Sequence, residues 1–242
     1  MIFVRREVMR LIFSSRKSAS LPFVLSLFFI FFASGGIAPA DTVDELITTI
    51  QTGDHEARMQ AVNQLAGIRE EKIIDPLADL IFKKAEDWYI KIRAIRILGE
   101  IETPRVQKVL LTVFNDPFLN EECPAIKWNT TVALGRKYHR GTVVVDDLIS
   151  ALDDNNLLLR EGLIQSLGKI GDPKAVPYLL PELNDKSFAI KFSTIRALES
   201  IGDMQAIPSL KKISETDRDP FISREANSAI NKIKLSNGRQ GG

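Results

Sequence analysis

Few side chains in this 242-residue sequence are of the types that do bond-making chemistry, and their spacing is wrong for most of it. There are two histidines, His55 and His139, and one cysteine, Cys123. A zinc site needs three or four N, S or O ligands converging on one point, and these three residues could build one only with carboxylate help. A single cysteine excludes a disulfide within the chain, so folding must rest on packing, and a lone thiol of this kind is expected to be buried and inert. No grouping of nucleophile, base and orienting residue stands out. The chain therefore reads as a non-enzyme with no cofactor and no metal.

What remains are side chains suited to binding. Trp128 is one. The stretch Arg136-Lys137-Tyr138-His139-Arg140-Gly141 is basic and aromatic, and Tyr138, His139 and Arg140 are its candidate contacts. A third group consists of regularly spaced cations, Arg58, Lys91, Lys127, Arg160 and Lys191. Their regularity points to the elements that must carry them.

The segment from Asn156 to Asp185 shows those elements best. Leu159, Leu163, Ile164, Leu167 and Ile170 make one apolar stripe of an α-helix. Asn156 can cap its start, and Gly168 and Gly171 stand at its end, where a left-handed cap favours glycine. Asp172-Pro173 restarts a helix, with Asp as cap and Pro where no N–H is needed. Ala175, Val176, Leu179, Leu180 and Leu183 form the second stripe. Such a hairpin cannot bury both stripes alone and needs like neighbours.

The neighbours are in the sequence. A leucine or isoleucine near the end of each first helix recurs at Leu65, Leu98, Leu134, Leu167, Leu198 and Ile230, at spacings of 33, 36, 33, 31 and 32 residues. Eight residues earlier stand Ala57, Ile90, Ile126, Leu159, Ile190 and Ile222. The next residue is the basic one in five of six units, with Ser223 in the last. Four residues before it stand Asp54, Asp87, Cys123, Asn156, Ser187 and Asp219, five of which are N-cap types. Small residues at Ala61, Ala94, Thr130 and Ala226 mark where helices must approach closely. Asp41 to Thr52 reads as a half-repeat covering the first hairpin. The third unit is the irregular one, with Cys123-Pro124 in the cap column and Arg136 to Gly141 in place of a tight turn.

These columns resemble the HEAT-like repeat family, in the short form named for phycobilin lyases, whose motif is V-R-x-x-A-A-x-A-L-G-x-I-G-D-P. Leu159-Arg160 through Gly168-Lys169-Ile170-Gly171-Asp172-Pro173 matches it, and Ile190-Lys191 through Leu198-Glu199-Ser200-Ile201-Gly202-Asp203 follows closely. The likeness covers about residues 54–235. It implies an all-α, right-handed α-solenoid of about six hairpins whose second helices line a concave face. Lys108, Tyr178, Lys211 and Lys212 are then candidate partner contacts on that face. In such stacks basic residues like Arg58 to Lys191 form a structural ladder with acids of the adjacent cap or repeat; Asp54 and Asp87 stand one turn before Arg58 and Lys91. The other reading is a positive strip for an acidic partner. Trp128 at helical spacing reads as core and the Arg136–Gly141 turn as a solvated loop, yet any ligand contact is expected there first.

The resemblance also brings enzymes. Deoxyhypusine hydroxylases hold a di-iron centre with repeated His-Glu pairs, but this chain has one pair, His55-Glu56. Phycobilin lyases act in the cytoplasm, which conflicts with residues 1–40. Those residues carry Arg5, Arg6, Arg10, Arg16 and Lys17, an apolar core Leu21 to Phe32 and Ala38-Pro39-Ala40, the pattern of an export signal cleaved before Asp41. An uncleaved membrane anchor is the alternative, and the only route to a membrane. Removing residues 1–40 from 32 basic and 31 acidic residues leaves 27 and 30, a balance of −3. That argues against nucleic acid, whose binding needs excess positive charge. Asn129-Thr130-Thr131 is a glycosylation sequon, meaningful only in a eukaryotic secretory pathway. The sequence thus divides into a signal at 1–40, a capping helix at 41–53, repeats at 54–235 and a flexible tail at 236–242. The expected activity is binding of a protein or peptide through the concave face. Subunit of an envelope complex and HEAT-class enzyme are the alternatives.

Overall fold

A computed structural model describes residues 40–238. The expected export signal, Ala40 apart, and the last four residues of the expected tail lie outside the described residues. The described chain is a stack of helices, with no strand among the described residues. In order they are α1 (Ala40–Thr52), α2 (His55–Gln64), α3 (Ile74–Phe82), α4 (Trp88–Leu98), α5 (Pro104–Asn115), α6 (Pro117–Glu122) and α7 (Pro124–Leu134). There follow α8 (Val143–Ser150), α9 (Leu157–Ile170), α10 (Val176–Leu179), α11 (Phe188–Ile201), α12 (Ile207–Thr216) and α13 (Pro220–Gly238).

Helices α2, α4, α7, α9, α11 and α13 are the first helices of six units and stack side by side. The others, α6 apart, form a second layer that begins with α1. Each first helix starts at the residue its cap column marks. Asp54, Asp87, Asn156, Ser187 and Asp219 accept hydrogen bonds from main-chain N–H groups of the first turn, which satisfies donors the helix itself leaves open. Cys123 makes no such bond, and its helix starts on Pro124, which has no N–H to satisfy. The recurring apolar residue is fully enclosed in five units, at Leu65, Leu98, Leu134, Leu167 and Leu198, and nearly so at Ile230.

The layer of first helices is held at contact distance by one register. Glycine follows the recurring leucine in three consecutive units, and a small residue precedes it in the next unit. A Cβ on Gly99 would lie 2.6 Å from Ala133 Cβ, one on Gly135 2.6 Å from Ser166 Oγ, and one on Gly168 2.6 Å from Ala197 Cα. Gly168 is therefore not a cap, as its position near the helix end suggested. It lies inside α9, and its missing side chain is the space into which α11 packs. Gly171 is the cap, at φ +74°, a conformation that strains other residues.

Two sets of ion pairs run along the stack in opposite senses. On one edge, a cation of four first helices reaches forward to an acid just ahead of the next. Arg58 Nε lies 2.8 Å from Glu86, Lys127 Nζ 3.4 Å from Asp154, Arg160 2.6 Å from Asp185 and Lys191 2.6 Å from Asp217. In the last three the aspartate works twice: its other oxygen accepts the N–H of Asn156, Ser187 or Asp219, the next cap residue. Asp54 and Asp87, one turn away from Arg58 and Lys91, are occupied as caps and are not the partners. Lys91 is buried and has no carboxylate within 4 Å among the described residues. Burial pushes the Asp217 carboxyl up, but the bonds from Lys191 and the Asp219 N–H outweigh it and hold it below its ordinary value. On the second layer the order reverses. Asp44, Asp75 and Asp146 each receive a cation from the following unit, Lys72 at 2.9 Å, Arg105 at 2.5 Å and Lys174 at 2.5 Å. These pairs are exposed, and screening by water leaves them little weight in stability.

Three departures from the expected pattern have local causes. The long spacing between Leu98 and Leu134 is taken up by α6, a short extra helix opened by Asp116 and Pro117, and not by the Arg136–Gly141 turn. The second helix of the fourth unit is broken into turns at Pro173–Ala175, Val176–Leu179 and Pro181–Asn184, because Pro177 and Pro181 cannot donate to the helix ladder. Helix α13 continues through Gly238, past the expected start of the tail at 236, and Asn237 donates to the Gly202 carbonyl at 2.8 Å.

Two substitutions test this packing by urea denaturation. Leu167→Ala should cost about 2–5 kcal/mol as a buried truncation. Gly168→Ala is the sharper case: helix propensity alone would stabilise by about 1 kcal/mol, whereas the contact with Ala197 predicts a net loss of about 1–3 kcal/mol from overpacking. A stabilised Gly168→Ala protein would refute the close approach.

Candidate protein-interaction surfaces

The sequence candidates do not gather into one site. They occupy three places set by the fold: the outer side of the second layer, the turn after α7 and the outer side of the first helices.

On the second layer, Lys108 lies on α5, Tyr178 on α10 and Lys211 and Lys212 on α12, and all four are exposed. Lys108 lines a groove of about 690 Å³ between α5 and α8. Leu111 and Val143 give it an apolar surface, and Lys108 and Asp147 give it charges of both signs. The residues facing it arise from helical spacing: Pro104, Lys108, Leu111 and Asn115 recur at three and four residues on the side of α5 opposite Val106, Leu110 and Val113, which are buried. Tyr178 lies near Lys174, which Asp146 keeps charged above its ordinary value. Lys211 is 3.8 Å from Glu215 one turn on.

The turn after α7 is docked rather than free. A Lys137–His139 turn is followed by Gly141 at φ +73°. The Gly141 N–H donates to Asp172 Oδ2 at 2.6 Å, while Asp172 Oδ1 accepts from the Lys174 N–H. Asp172, the acid of the Gly-Asp-Pro signature, thus caps its own unit and ties down the loop of the unit before. Tyr138 and Arg140 are exposed, whereas His139 is buried, with Nδ1 lacking a hydrogen-bond partner. Burial pushes the His139 imidazole below its ordinary value of 6.5; Glu102 opposes this and Arg136 adds to it. His139 is thus not an accessible contact, and the expected solvated loop is half core.

Trp128 departs from the core reading. It is 41% exposed, with its indole laid over Gly162, where a Cβ would come within 3.0 Å of Nε1. With Pro124, Ala125 and Leu158 it lines a groove of about 390 Å³ between α7 and α9. Neighbouring surface residues were missed from sequence. Trp88, Tyr89, Leu157, Leu158, Phe188 and Phe221 are all exposed. The signal for them was present: each stands one or two residues after its cap, off the apolar stripe. The ladder cations are half-buried against their acids, apart from Lys91, and do not form a free positive strip.

The two histidines belong to different units. His55 Nδ1 lies 3.9 Å from Glu86 and His139 sits in the third unit. Among the described residues no group of three or more His, Cys, Asp or Glu could hold a metal ion, and no helix is long and apolar enough to cross a membrane. The sequon lies within α7: the Asn129 side chain donates to the Ala125 carbonyl, and Thr130 and Thr131 are buried.

A sequence profile of HEAT repeats matches residues 43–118, 117–187 and 145–231. No curated protein sequence matches the chain. Among solved structures, a designed armadillo repeat protein in complex with the peptide (KR)4 superposes with a TM-score of 0.58 at 15% identity, covering 79% of this chain and 99% of that one. The complex of CpcE and CpcF of phycocyanin lyase from Nostoc sp. PCC7120 superposes with a TM-score of 0.53 at 18% identity, covering 87% of this chain and 79% of that one. At these identities the likeness is one of fold.

The buried His139 makes stability depend on pH. Its folded-state value lies below 6.5, so below that pH the unfolded chain binds the extra proton and stability falls as pH drops. Thermal melts should show stability constant above about pH 7 and declining toward pH 5. His139→Leu should flatten that decline; an unchanged decline would place its origin elsewhere.

Proposed function

Because the chain belongs to the HEAT repeat family, we propose that it is a binding scaffold, an exported, non-catalytic protein whose second-helix face holds a protein or peptide partner. The observation that carries this reading is the groove between α5 and α8. It is open, with Pro104, Leu111, Pro117 and Val143 among polar side chains on its lining and Lys108 and Asp147 as charges of both signs. Such a surface suits an extended peptide segment or a helix edge better than an enclosed small molecule. Charges of both signs at its border, in a chain balanced at −3 beyond residue 40, favour a protein partner over a nucleic acid. The two similar structures support the reading by analogy of fold, since one holds a peptide and the other is a complex of CpcE with CpcF. Export rests on residues 1–40 alone, with their basic start, apolar core and Ala38-Pro39-Ala40 site.

The test is capture of the tagged protein with mild crosslinking from the native envelope fraction. One dominant partner, crosslinked to residues of α5, α8 or α12, is the expected result. Lys108→Glu combined with Leu111→Asp should abolish its retention and leave the unfolding midpoint unchanged; undiminished retention would remove the groove from the reading. The native protein should begin at Asp41 by N-terminal sequencing. A metal or a chromophore present at one equivalent in the purified protein would overturn the non-catalytic assignment in favour of the enzymes of this repeat class.

A further inference from the structure

The outer side of the first helices carries apolar side chains at a repeated register. Trp88 and Tyr89 open α4, Leu157 and Leu158 open α9, Phe188 opens α11 and Phe221 opens α13, and all are at least 40% exposed. Single exposed apolar residues are ordinary on protein surfaces. Here they recur on successive helices and touch across them. Phe188 and Phe192 of α11 lie 5.8 and 5.6 Å from Phe221 of α13. Trp128 of α7 lies over Gly162 of α9, beside Leu158. Glycine at 162 is what lets the indole bridge the two helices and leaves the groove of about 390 Å³ open.

The charged side chain that lines this groove is an acid. Glu161 lies on its wall, and its Oε1 accepts from Ser193 at 3.0 Å and Gln165 at 3.1 Å. Glu121, near the end of α6, and Asp153, in the loop that precedes α9, are exposed. None of the three has a cation within 4 Å among the described residues. The cations of α7 and α9 next to it are engaged, Lys127 with Asp154 and the Phe114 ring, and Arg160 with Asp185 and Glu182; the exposed Lys186 and Arg218 stand further along, before α11 and α13. An apolar groove flanked by unneutralised carboxylates is complementary to a segment that is both apolar and basic.

The spacing narrows the form of that segment. Packed helices lie about 8–10 Å apart, and an extended polyproline-type chain advances about 9 Å in three residues. One side chain in three can therefore meet one helix after another. We propose that the first-helix face from Trp128 to Phe221 docks an extended segment of a partner protein, with an apolar side chain at every third position and lysine or arginine between. Trp128, Leu158 and the Phe188–Phe192–Phe221 cluster take the apolar side chains, and Glu121, Asp153 and Glu161 take the cations. This face lies on the opposite layer from the α5–α8 groove and stands independently of it.

The probe is a set of unlabelled peptides, (Leu-Pro-Arg)5, (Leu-Pro-Glu)5 and (Ser-Pro-Arg)5, titrated into the full chain carrying Trp88→Phe, so that Trp128 is the one tryptophan left. (Leu-Pro-Arg)5 should bind saturably, shift Trp128 emission to the blue, and bind at least about tenfold tighter than either control, a difference typical of a few anchoring contacts. Leu158→Asp and Glu161→Gln should each weaken it about fivefold or more, with unchanged unfolding midpoints, while Lys108→Glu should have no effect. Equal binding of (Ser-Pro-Arg)5 would reduce the site to non-specific charge attraction. No saturation by ~1 mM (Leu-Pro-Arg)5, the weakest affinity that still marks a site, would overturn the proposal. So would indifference to Leu158→Asp and Glu161→Gln, and sensitivity to Lys108→Glu would move the segment to the second layer.

Discussion

The distance between neighbouring first helices depends on what stands at Gly99, Gly135 and Gly168. Each faces a small residue of the next unit at a separation no side chain could occupy. Contact that close fixes the rotation of one helix on the next, because a helix has few sides without a Cβ to offer. Two regular features follow from that rotation. It brings Lys127, Arg160 and Lys191 within reach of the acids one unit on, and it presents the residues after each cap to the outside. The fifth unit replaces the glycine with Glu199, and contact there takes a different form. Lys232 of α13 reaches Glu199 at 2.8 Å, and Arg196 stands beside it at 3.2 Å.

Much of this architecture was legible in the residues. Caps and recurring leucines are local signals, and each unit repeats them, so chance agreement at one position is corrected by the next. The errors arose where a residue has two physical uses. Gly168 and Gly171 look alike on the page; only the packing shows that one is absent bulk and the other backbone freedom. Asp54 and Asp87 stand one turn before Arg58 and Lys91, but each turns an oxygen to a main-chain N–H of the first turn and pairs with neither cation. Pro177 and Pro181 were legible as helix breakers and were outweighed by the apolar stripe around them.

The candidate surfaces were less legible, because exposure is a property of the neighbouring unit. Trp128 falls at core spacing within its own helix, and what leaves it half exposed is the position of α9 beyond Gly162. His139 sits in a stretch whose composition says solvent. What buries it is the turn that Asp172, thirty-odd residues later, ties down through Gly141. The second set of ion pairs escaped notice for the same reason: Asp44 with Lys72 and Asp146 with Lys174 are 28 residues apart in sequence and adjacent only in the stack.

The doubled duty of Asp154, Asp185 and Asp217 bears on how such a chain changes length. Each stands two residues before a cap and binds backward to the unit behind it and forward to the cap ahead. Excising residues 155 to 185 would join Asp154 to Lys186-Ser187-Phe188, leaving an aspartate two residues before a cap and Lys127 still opposite it. Gly135 would meet Ala197 in place of Ser166, another small residue. The junctions are interchangeable, so gain or loss of a whole unit is nearly silent to the fold, whereas a change of a few residues breaks a rung and a cap together. Inheritance of this chain would then proceed in steps of about one hairpin, lengthening or shortening its binding faces without redesigning their construction.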